Sequence, residues 1–279
     1  EPLRKGESMT EIEWLPIQAG RVTIGDSRGA LMYVNNGPLH EINIVTDFEM
    51  SSTPITYAQW ATLTGQPAAG NKSDEQMNCL TPLMIESGLT SFENIRLPSE
   101  GEWALAAEQN VILQGDFQVE LLADRPPRGG YWGAPCDGRP WESQRSSGGL
   151  GNHSAHVTRV WVNDETVRGA TPRGVTRQKM GFRLVRISND AYIGEPPRLP
   201  NAPPKSELLK RESIIAILIG IIPSFTWAWF NASRSYLIDS WLNIAVGGIF
   251  FSLLTAFLWR PQTPSYRIGT NCGKVKRIE

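Results

Sequence analysis

Ile95-Arg-Leu-Pro-Ser-Glu-Gly-Glu-Trp-Ala-Leu-Ala-Ala-Glu108 reads as the start of a helix. Ser99 is a favoured N-cap residue, and Glu102 follows three residues later, the spacing of a capping box. Glu100 and Glu102 put negative charge in the first turn, where the helix dipole favours it. Leu97, Trp103 and Ala106 or Ala107 then share a face that can meet a core. On this reading the stretch is structural and carries no chemistry of its own.

Working outward, Arg21-Val-Thr-Ile24 followed by Gly25-Asp-Ser-Arg-Gly29 reads as a strand and a turn. His40 to Phe48 alternates apolar and polar, which predicts one strand with Ile42, Ile44 and Phe48 on the buried side. Thr56 to Leu63 reads as a short helix, and Met180-Gly-Phe-Arg-Leu-Val-Arg186 as a closing strand. Gly and Pro punctuate the intervals. With 26 glycines and 10 tryptophans, the composition suits a loop-rich fold plugged by aromatics better than a helical bundle.

These pieces resemble the formylglycine-generating enzyme (sulfatase-modifying factor) family. Arg96 to Ala107 resembles its Arg-Leu-Pro-Thr-Glu-Ala-Glu-Trp-Glu signature. Ile17-Gln-Ala-Gly-Arg-Val-Thr-Ile-Gly25 resembles its opening strand and turn, with Ile24 where Met is usual. Pro38-Leu-His40, and Phe48 through Pro54-Ile-Thr-Tyr57, resemble its Pro-x-His and Val-Thr-Asn segments. Tyr131-Trp-Gly133 resembles its Pro-Trp-Gly turn, and Gly181-Phe-Arg183 its closing motif. The resemblance runs over roughly residues 14–187 and implies an α+β fold of the C-type-lectin-like kind.

The departures bear on activity. Arg159-Val-Trp-Val-Asn163 and Arg168-Gly-Ala170 only echo the family's Asn-Val-Trp-Glu-Trp and Arg-Gly-Gly-Ser segments, and about ten residues separate Ala170 from Gly181. Active members carry a copper-binding catalytic cysteine pair in that last stretch. This chain has three cysteines, Cys79, Cys136 and Cys272, and none between Cys136 and Cys272. Cu(I) ligation needs soft sulfur donors brought together, so the resemblance implies a member without catalytic, cofactor-binding or metal-binding residues. No CxxC spacing argues a zinc site or a disulfide framework; a single Cys79–Cys136 bridge stays open.

Other chemistry is weakly signalled. His153 and His156 stand three apart, which would suit a metal on a helix, but Gly148-Gly-Leu-Gly151 before them argues for a loop. His40 matches a family position and reads as a hydrogen-bonded structural histidine. The related iron-dependent sulfoxide synthases use an additional domain with a histidine trio, which this chain lacks. Asp137, Asn152, Asn163 and Asp164 are loop groups of the kind through which some family members bind calcium. There is no nucleophile elbow and no Walker loop. Arg125, Arg128, Arg139 and Arg145 interleave with Tyr131, Trp132 and Trp141; an RNA-binding surface is one reading, and a solvated loop packed by its aromatics is the favoured one. Net charge is −1, so no global field draws the chain to nucleic acid.

The end of the chain differs in kind. Ile214 to Phe230 runs 17 residues without a charge, and Trp241 to Trp259 runs 19. As helices they extend about 26 and 28 Å, close to the ~30 Å hydrocarbon core. Trp227, Trp229, Tyr236, Trp241 and Trp259 mark the ends. Pro223 predicts a kink in the first span. Gly220, Gly247 and Gly248 allow close helix approach, with Asn243, Ser252 and Thr255 as polar groups for helix–helix bonds. Arg198, Lys205, Lys210 and Arg211 precede the spans, Arg260, Arg267, Lys274, Lys276 and Arg277 follow them, and the connecting loop offers Arg234. The positive-inside rule then places the soluble domain and both termini in the cytoplasm. The first 15 residues carry no apolar run of a secretory signal; Glu1 is not a methionine, which leaves a leader ahead of it open.

The expected organisation is a sulfatase-modifying-factor-like domain over 1–190, a proline-rich linker over 191–212, a two-helix transmembrane hairpin over 213–260 and a basic tail over 261–279. The linker holds Pro196, Pro197, Pro200, Pro203 and Pro204 and reads as an extended spacer. The expected function is a non-catalytic, membrane-anchored accessory or scaffolding subunit of a larger integral-membrane complex, its partners being protein subunits and the bilayer, not nucleic acid. The competing readings are a metal-dependent oxidase or oxygenase with a rearranged site, and a membrane-bound sensor or ligand-binding module.

Overall fold

The computed structural model describes residues 11–25, 37–65, 73–112, 119–125, 130–142, 155–162, 165–177, 179–202, 204–258, 265–268 and 275–278. The chain is mixed α+β. Strands β1 (Trp14–Ile17), β2 (Gly20–Ile24), β3 (His40–Ile44) and β4 (Phe48–Ser51) come first, then helices α1 (Tyr57–Thr64) and α2 (Pro82–Leu89). Strand β5 (Ile95–Arg96) leads into α3 (Glu100–Glu108), followed by β6 (Val119–Leu121), β7 (His156–Val162), β8 (Glu165–Thr171), β9 (Met180–Phe182) and β10 (Val185–Arg186). One four-stranded sheet has the order β1-β4-β10-β5 and a second has the order β8-β7-β6-β9; β2 and β3 form a separate antiparallel pair.

The signature helix forms as expected. Ser99 Oγ accepts from the Glu102 amide, and the Glu102 carboxylate accepts from the Ser99 amide. Helix α1 repeats the device with Thr56 and Gln59 and closes on Gly65, whose φ of 68° suits a residue without a Cβ. Two expected strands are each divided. The run from His40 to Phe48 breaks after Ile44, where the Asp47 carboxylate takes the Ala19 amide at 2.7 Å. Phe48 is buried as its alternation requires, but in a different sheet from Ile42 and Ile44. The closing stretch likewise splits into β9 and β10 in different sheets, with Arg183 buried at the crossing. Period-2 alternation gives the face of each residue, but not the sheet it joins.

Two buried clusters fill the domain. One gathers Ile17, Ile42, Ile44, Phe48, Met50 and Trp103; the other gathers Ile55, Trp60, Ile85, Leu121, Phe182 and Leu184. The Trp60 and Phe182 rings meet edge-on at 5.4 Å. The proline-rich stretch is extended, and its middle is fastened to the domain. The Cys136 amide donates to the Pro197 carbonyl at 2.8 Å, the Leu199 amide to the Ala134 carbonyl at 2.9 Å and the Gly133 amide to the Pro200 carbonyl at 3.1 Å. Leu199 is buried in the first cluster. Cys136 is buried and Cys79 exposed, both as free thiols, so the disulfide left open does not form.

Beyond the prolines, α4 (Lys205–Ile215) runs through a π-helical turn (Ala216–Ile221) into α5 (Ile222–Asn231). The kink expected at Pro223 falls next to a π-helical turn, in which the Ile222 amide reaches back five residues to the Ile217 carbonyl. A short α6 (Arg234–Asp239) returns the chain into α7 (Trp241–Leu258). Leu209–Asn231 is the one helical segment among the described residues long and apolar enough to cross a membrane; Trp241–Thr255 is apolar but shorter. Strands β11 (Ser265–Ile268) and β12 (Val275–Ile278) form a terminal antiparallel pair, and β11 lies alongside β3.

Candidate functional site

The two acids of the signature's first turn, Glu100 and Glu102, are buried in the domain, each with arginine partners. Glu102 has no exposed side-chain surface and holds Arg96 through two bonds of 2.6 and 2.8 Å. It also accepts from the Tyr192 hydroxyl at 2.6 Å. Glu100 pairs with Arg159 at 2.9 Å and with Arg168 at 3.1 Å. Burial pushes the Glu100 carboxyl up, but the two arginines more than offset this and hold it below its ordinary range. Beside it, Asp124 accepts from the Glu100 amide at 2.5 Å and from the Trp141 amide at 2.8 Å. Burial, with Glu100 nearby, raises the Asp124 carboxyl to about 6. The sequence signal placed these acids in a first turn, but not inside the protein. A pair of acids beside a buried aromatic, with arginines dispersed downstream, was the available cue.

A second buried pair lies at the strand crossing. Arg183 Nε donates to Glu120 at 2.9 Å, with both side chains about 1% exposed. Glu120 also accepts from the indoles of Trp103 at 2.9 Å and Trp161 at 3.3 Å, and Arg183 caps the carbonyls of Ser51 and Ser52. The closing motif and the signature helix are therefore joined through one carboxylate.

His156, read as one half of a metal pair, starts strand β7 and is fully buried; His153 lies outside the described residues. Its Nδ1–H donates to the Leu122 carbonyl at 2.8 Å, and Nε2 stands 3.2 Å from Glu86. Glu86 also binds Arg173 at 2.6 Å and Arg125 at 3.4 Å. Burial works against the charged Glu86, yet His156 and the two arginines bring its carboxyl down to about 2. His40 behaves as the structural histidine expected. Its Nδ1 contacts the Pro38 carbonyl at 3.0 Å, its ring lies 4.7 Å from that of Tyr131, and burial lowers it to about 4.

Of the interleaved arginines, Arg125 is tied to Glu86 and Glu142, and Arg139 to Asp137 at 2.8 Å with its guanidinium over the Tyr192 ring. Tyr131 and Trp141 are buried. These two rings plug the loop from inside, while Trp132 is half-buried. Arg128 and Arg145 lie outside the described residues, as do Asn152, Asn163 and Asp164 of the suggested calcium set; Asp137, its remaining member, is occupied by Arg139. Cys272 lies outside them too. Among the described residues no three His, Cys, Asp or Glu side chains are grouped to hold a metal. Burial and the adjacent Asp137 push the Cys136 thiol up to about 12, the reverse of an activated nucleophile.

Among the described residues, a cavity of about 20 Å³ is lined by His40, Glu100, Asp124, Tyr131 and Arg168, and has room for about one water. A larger groove of about 330 Å³ lies over Asp47, Phe48, Glu49, Asn94 and Arg186, where Arg186 and Glu49 already pair at 2.5 Å.

The chain matches no family model and no curated protein. Among solved structures, PvdO from Pseudomonas aeruginosa is similar with a TM-score of 0.48 and 14% identity, over 65% of this chain and 99% of that one. Treponema denticola variable protein 1 is similar with a TM-score of 0.40 and 13% identity, over 67% of this chain and 99% of that one.

Proposed function

We propose that this chain is a non-catalytic, membrane-anchored member of the formylglycine-generating enzyme fold group and serves as an accessory or scaffolding subunit of a membrane complex. The observation that carries the reading is the employment of the charged groups. Glu102 pairs with Arg96, Glu100 with Arg168 and Glu120 with Arg183, so the acids of this region are taken up in internal ion pairs. Chemistry at a site needs a nucleophile, a base or a metal held open, whereas these residues hold the loops of a contact surface in place.

The membrane part of the proposal is a two-span hairpin with the domain and both termini in the cytoplasm. Gly220 and Gly248 support it. A Cβ on Gly220 would sit 2.1 Å from the Gly248 carbonyl oxygen, so the two helices touch backbone to backbone. Ser252 and Thr255 are buried on that side, while Trp227, Phe230, Leu242 and Phe250 are exposed. The position of β11 beside β3 also supports it, because a tail that returns to the domain requires an even number of crossings. Nine basic residues flank the spans against Arg234 in the loop, which supports the cytoplasmic side.

The test is extraction in mild detergent followed by native electrophoresis with subunit identification. The expected result is a discrete species larger than the monomer, with fixed stoichiometry. A monodisperse monomer in every mild detergent, or copper-dependent turnover of a sulfatase-type cysteine peptide, would overturn the reading.

A further inference from the structure

We propose that the cavity lined from β3, the first turn of α3 and β8 is a binding site for one structural water, which donates to His40 Nε2 and to the Glu100 carboxylate and accepts from Arg168 Nη2. The cavity measures about 20 Å³, room for a single water. Ser99, Glu100, Asp124, Tyr131 and Arg168 line it together with His40. Several of these polar groups are already employed inside the protein. Ser99 Oγ donates to the Gly138 carbonyl at 2.6 Å and accepts from the Glu102 amide at 3.1 Å. The two Asp124 oxygens each accept a backbone amide, one from Glu100 and one from Trp141. The Tyr131 hydroxyl is bonded to Glu100.

Three residues of this lining each carry a buried atom with no hydrogen-bond partner among the described residues: His40 Nε2, Glu100 Oε1 and Arg168 Nη2. Their chemistry selects the ligand. His40 Nδ1 lies 3.0 Å from the Pro38 carbonyl, which can only accept, so the ring proton sits on Nδ1 and Nε2 presents a lone pair. Burial keeps this ring neutral at neutral pH, its value lowered to about 4. Glu100 Oε1 is a second acceptor, with Arg159 at 2.9 Å as an ion pair, while Arg168 Nε binds the other oxygen at 3.1 Å. Arg168 Nη2 is a donor. Two acceptors and one donor match a water, and buried waters make about three bonds of this kind. An anion would meet the His40 lone pair and the Glu100 carboxylate. A cation would meet the Arg168 guanidinium, held 4.4 Å over the Tyr131 ring. His40 stands on β3, Glu100 on α3 and Arg168 on β8. The water therefore ties the separate β2–β3 pair to the signature helix and to the β8-β7-β6-β9 sheet.

The test is a crystal structure of the full chain in detergent, at a resolution that orders buried waters, grown once in chloride and once in bromide. The expected result is one spherical density peak within about 3.2 Å of all three atoms, with no anomalous signal from bromide. A bromide signal at the peak would overturn the water in favour of an anion. No peak, or a peak out of reach of His40 Nε2, would overturn the site. Nitrogen NMR of the His40 imidazole checks the donor pattern in solution. The proton is expected on Nδ1 at neutral pH, and a proton on Nε2 would overturn the proposal, because that atom could no longer accept. His40→Phe keeps a ring against Tyr131 and removes Nε2. It is expected to lose the peak and to melt a few degrees lower. A peak retained at full strength in that variant would overturn the role of His40, and if the variant does not fold, the wild-type crystals and spectra still decide.

Discussion

The signature region and the helical hairpin are packed inside out relative to each other. Around α3 the charged groups are buried and matched, Glu102 with Arg96, Glu100 with Arg159 and Arg168, Glu120 with Arg183. In the hairpin the apolar groups face outward, with Trp227, Phe230 and Phe250 about two-thirds exposed or more, while Ser252 and Thr255 are inside. Each arrangement would be unstable in the other's place. A domain in water loses least by covering its apolar surface. Helices in lipid gain nothing from hydrophobic burial and associate through close backbone contact. On the membrane reading proposed above the difference reflects two solvents, and it can be attacked from either side.

The largest effect is expected from removing half of a buried ion pair. Glu120→Leu leaves Arg183 charged with no carboxylate and frees the indole N–H groups of Trp103 and Trp161. The expected cost is about 3–5 kcal/mol, read by denaturant unfolding followed through tryptophan fluorescence. A loss under about 1 kcal/mol would mean the pair is not a keystone of the fold.

The next effect is a pH dependence. Glu86 has a folded value of about 2 against an ordinary 4.5, so its contribution is fully present above about 4.5 and is lost as pH falls toward 2. Asp124 works oppositely. Its value is raised to about 6 from 3.8, so the fold gains from its protonation as pH falls from about 6 toward 4. Melting Glu86→Gln beside the wild type should show a gap at pH 6 that closes by pH 2. A gap independent of pH would place the effect in packing instead.

In the hairpin, Gly248→Leu should part the helices, because even a Cβ there meets Gly220 backbone atoms at 2.7 Å. Overpacking of this kind costs about 1–3 kcal/mol. Gly247 has no neighbour within 4 Å, so Gly247→Leu should leave the pair intact. Engineered cysteine cross-linking between α5 and α7 separates the two variants. If Gly247→Leu keeps the cross-link but sheds a protein that co-purifies with the wild type, the outer face is an assembly surface. The smallest effect is Ser99→Ala, which removes the α3 cap and a 2.6 Å bond to the Gly138 carbonyl, at a cost of about 0.5–2 kcal/mol measured by thermal unfolding.

Much of the fold was legible because its signals are local. The capping box at Ser99 and Glu102, the helix after Thr56, and the burial of Ile42, Ile44 and Phe48 follow from neighbours within a few residues. The division of 40–48 and of 180–186 between sheets was not legible, since it depends on which strands arrive from far away in the chain. The partners of Glu100 and Glu120 were hidden for the same reason, being supplied by Arg159, Arg168 and Arg183 some sixty residues on. The three glycines looked equivalent in sequence, and only the pairing of the helices shows that Gly220 and Gly248 meet while Gly247 does not.

The π-helical turn at Ala216–Ile221 acts as a phase setter between the two ends of one helix. It holds one residue more than α-geometry would use. Deleting a single residue there would therefore restore an α-helical path and turn everything before it by about 100° around the axis. Gly220 could keep its contact with Gly248, yet Lys210 and Arg211 would swing to another bearing around the helix axis. The paired helices would stay in contact, but the chain ahead of them would leave in a different direction.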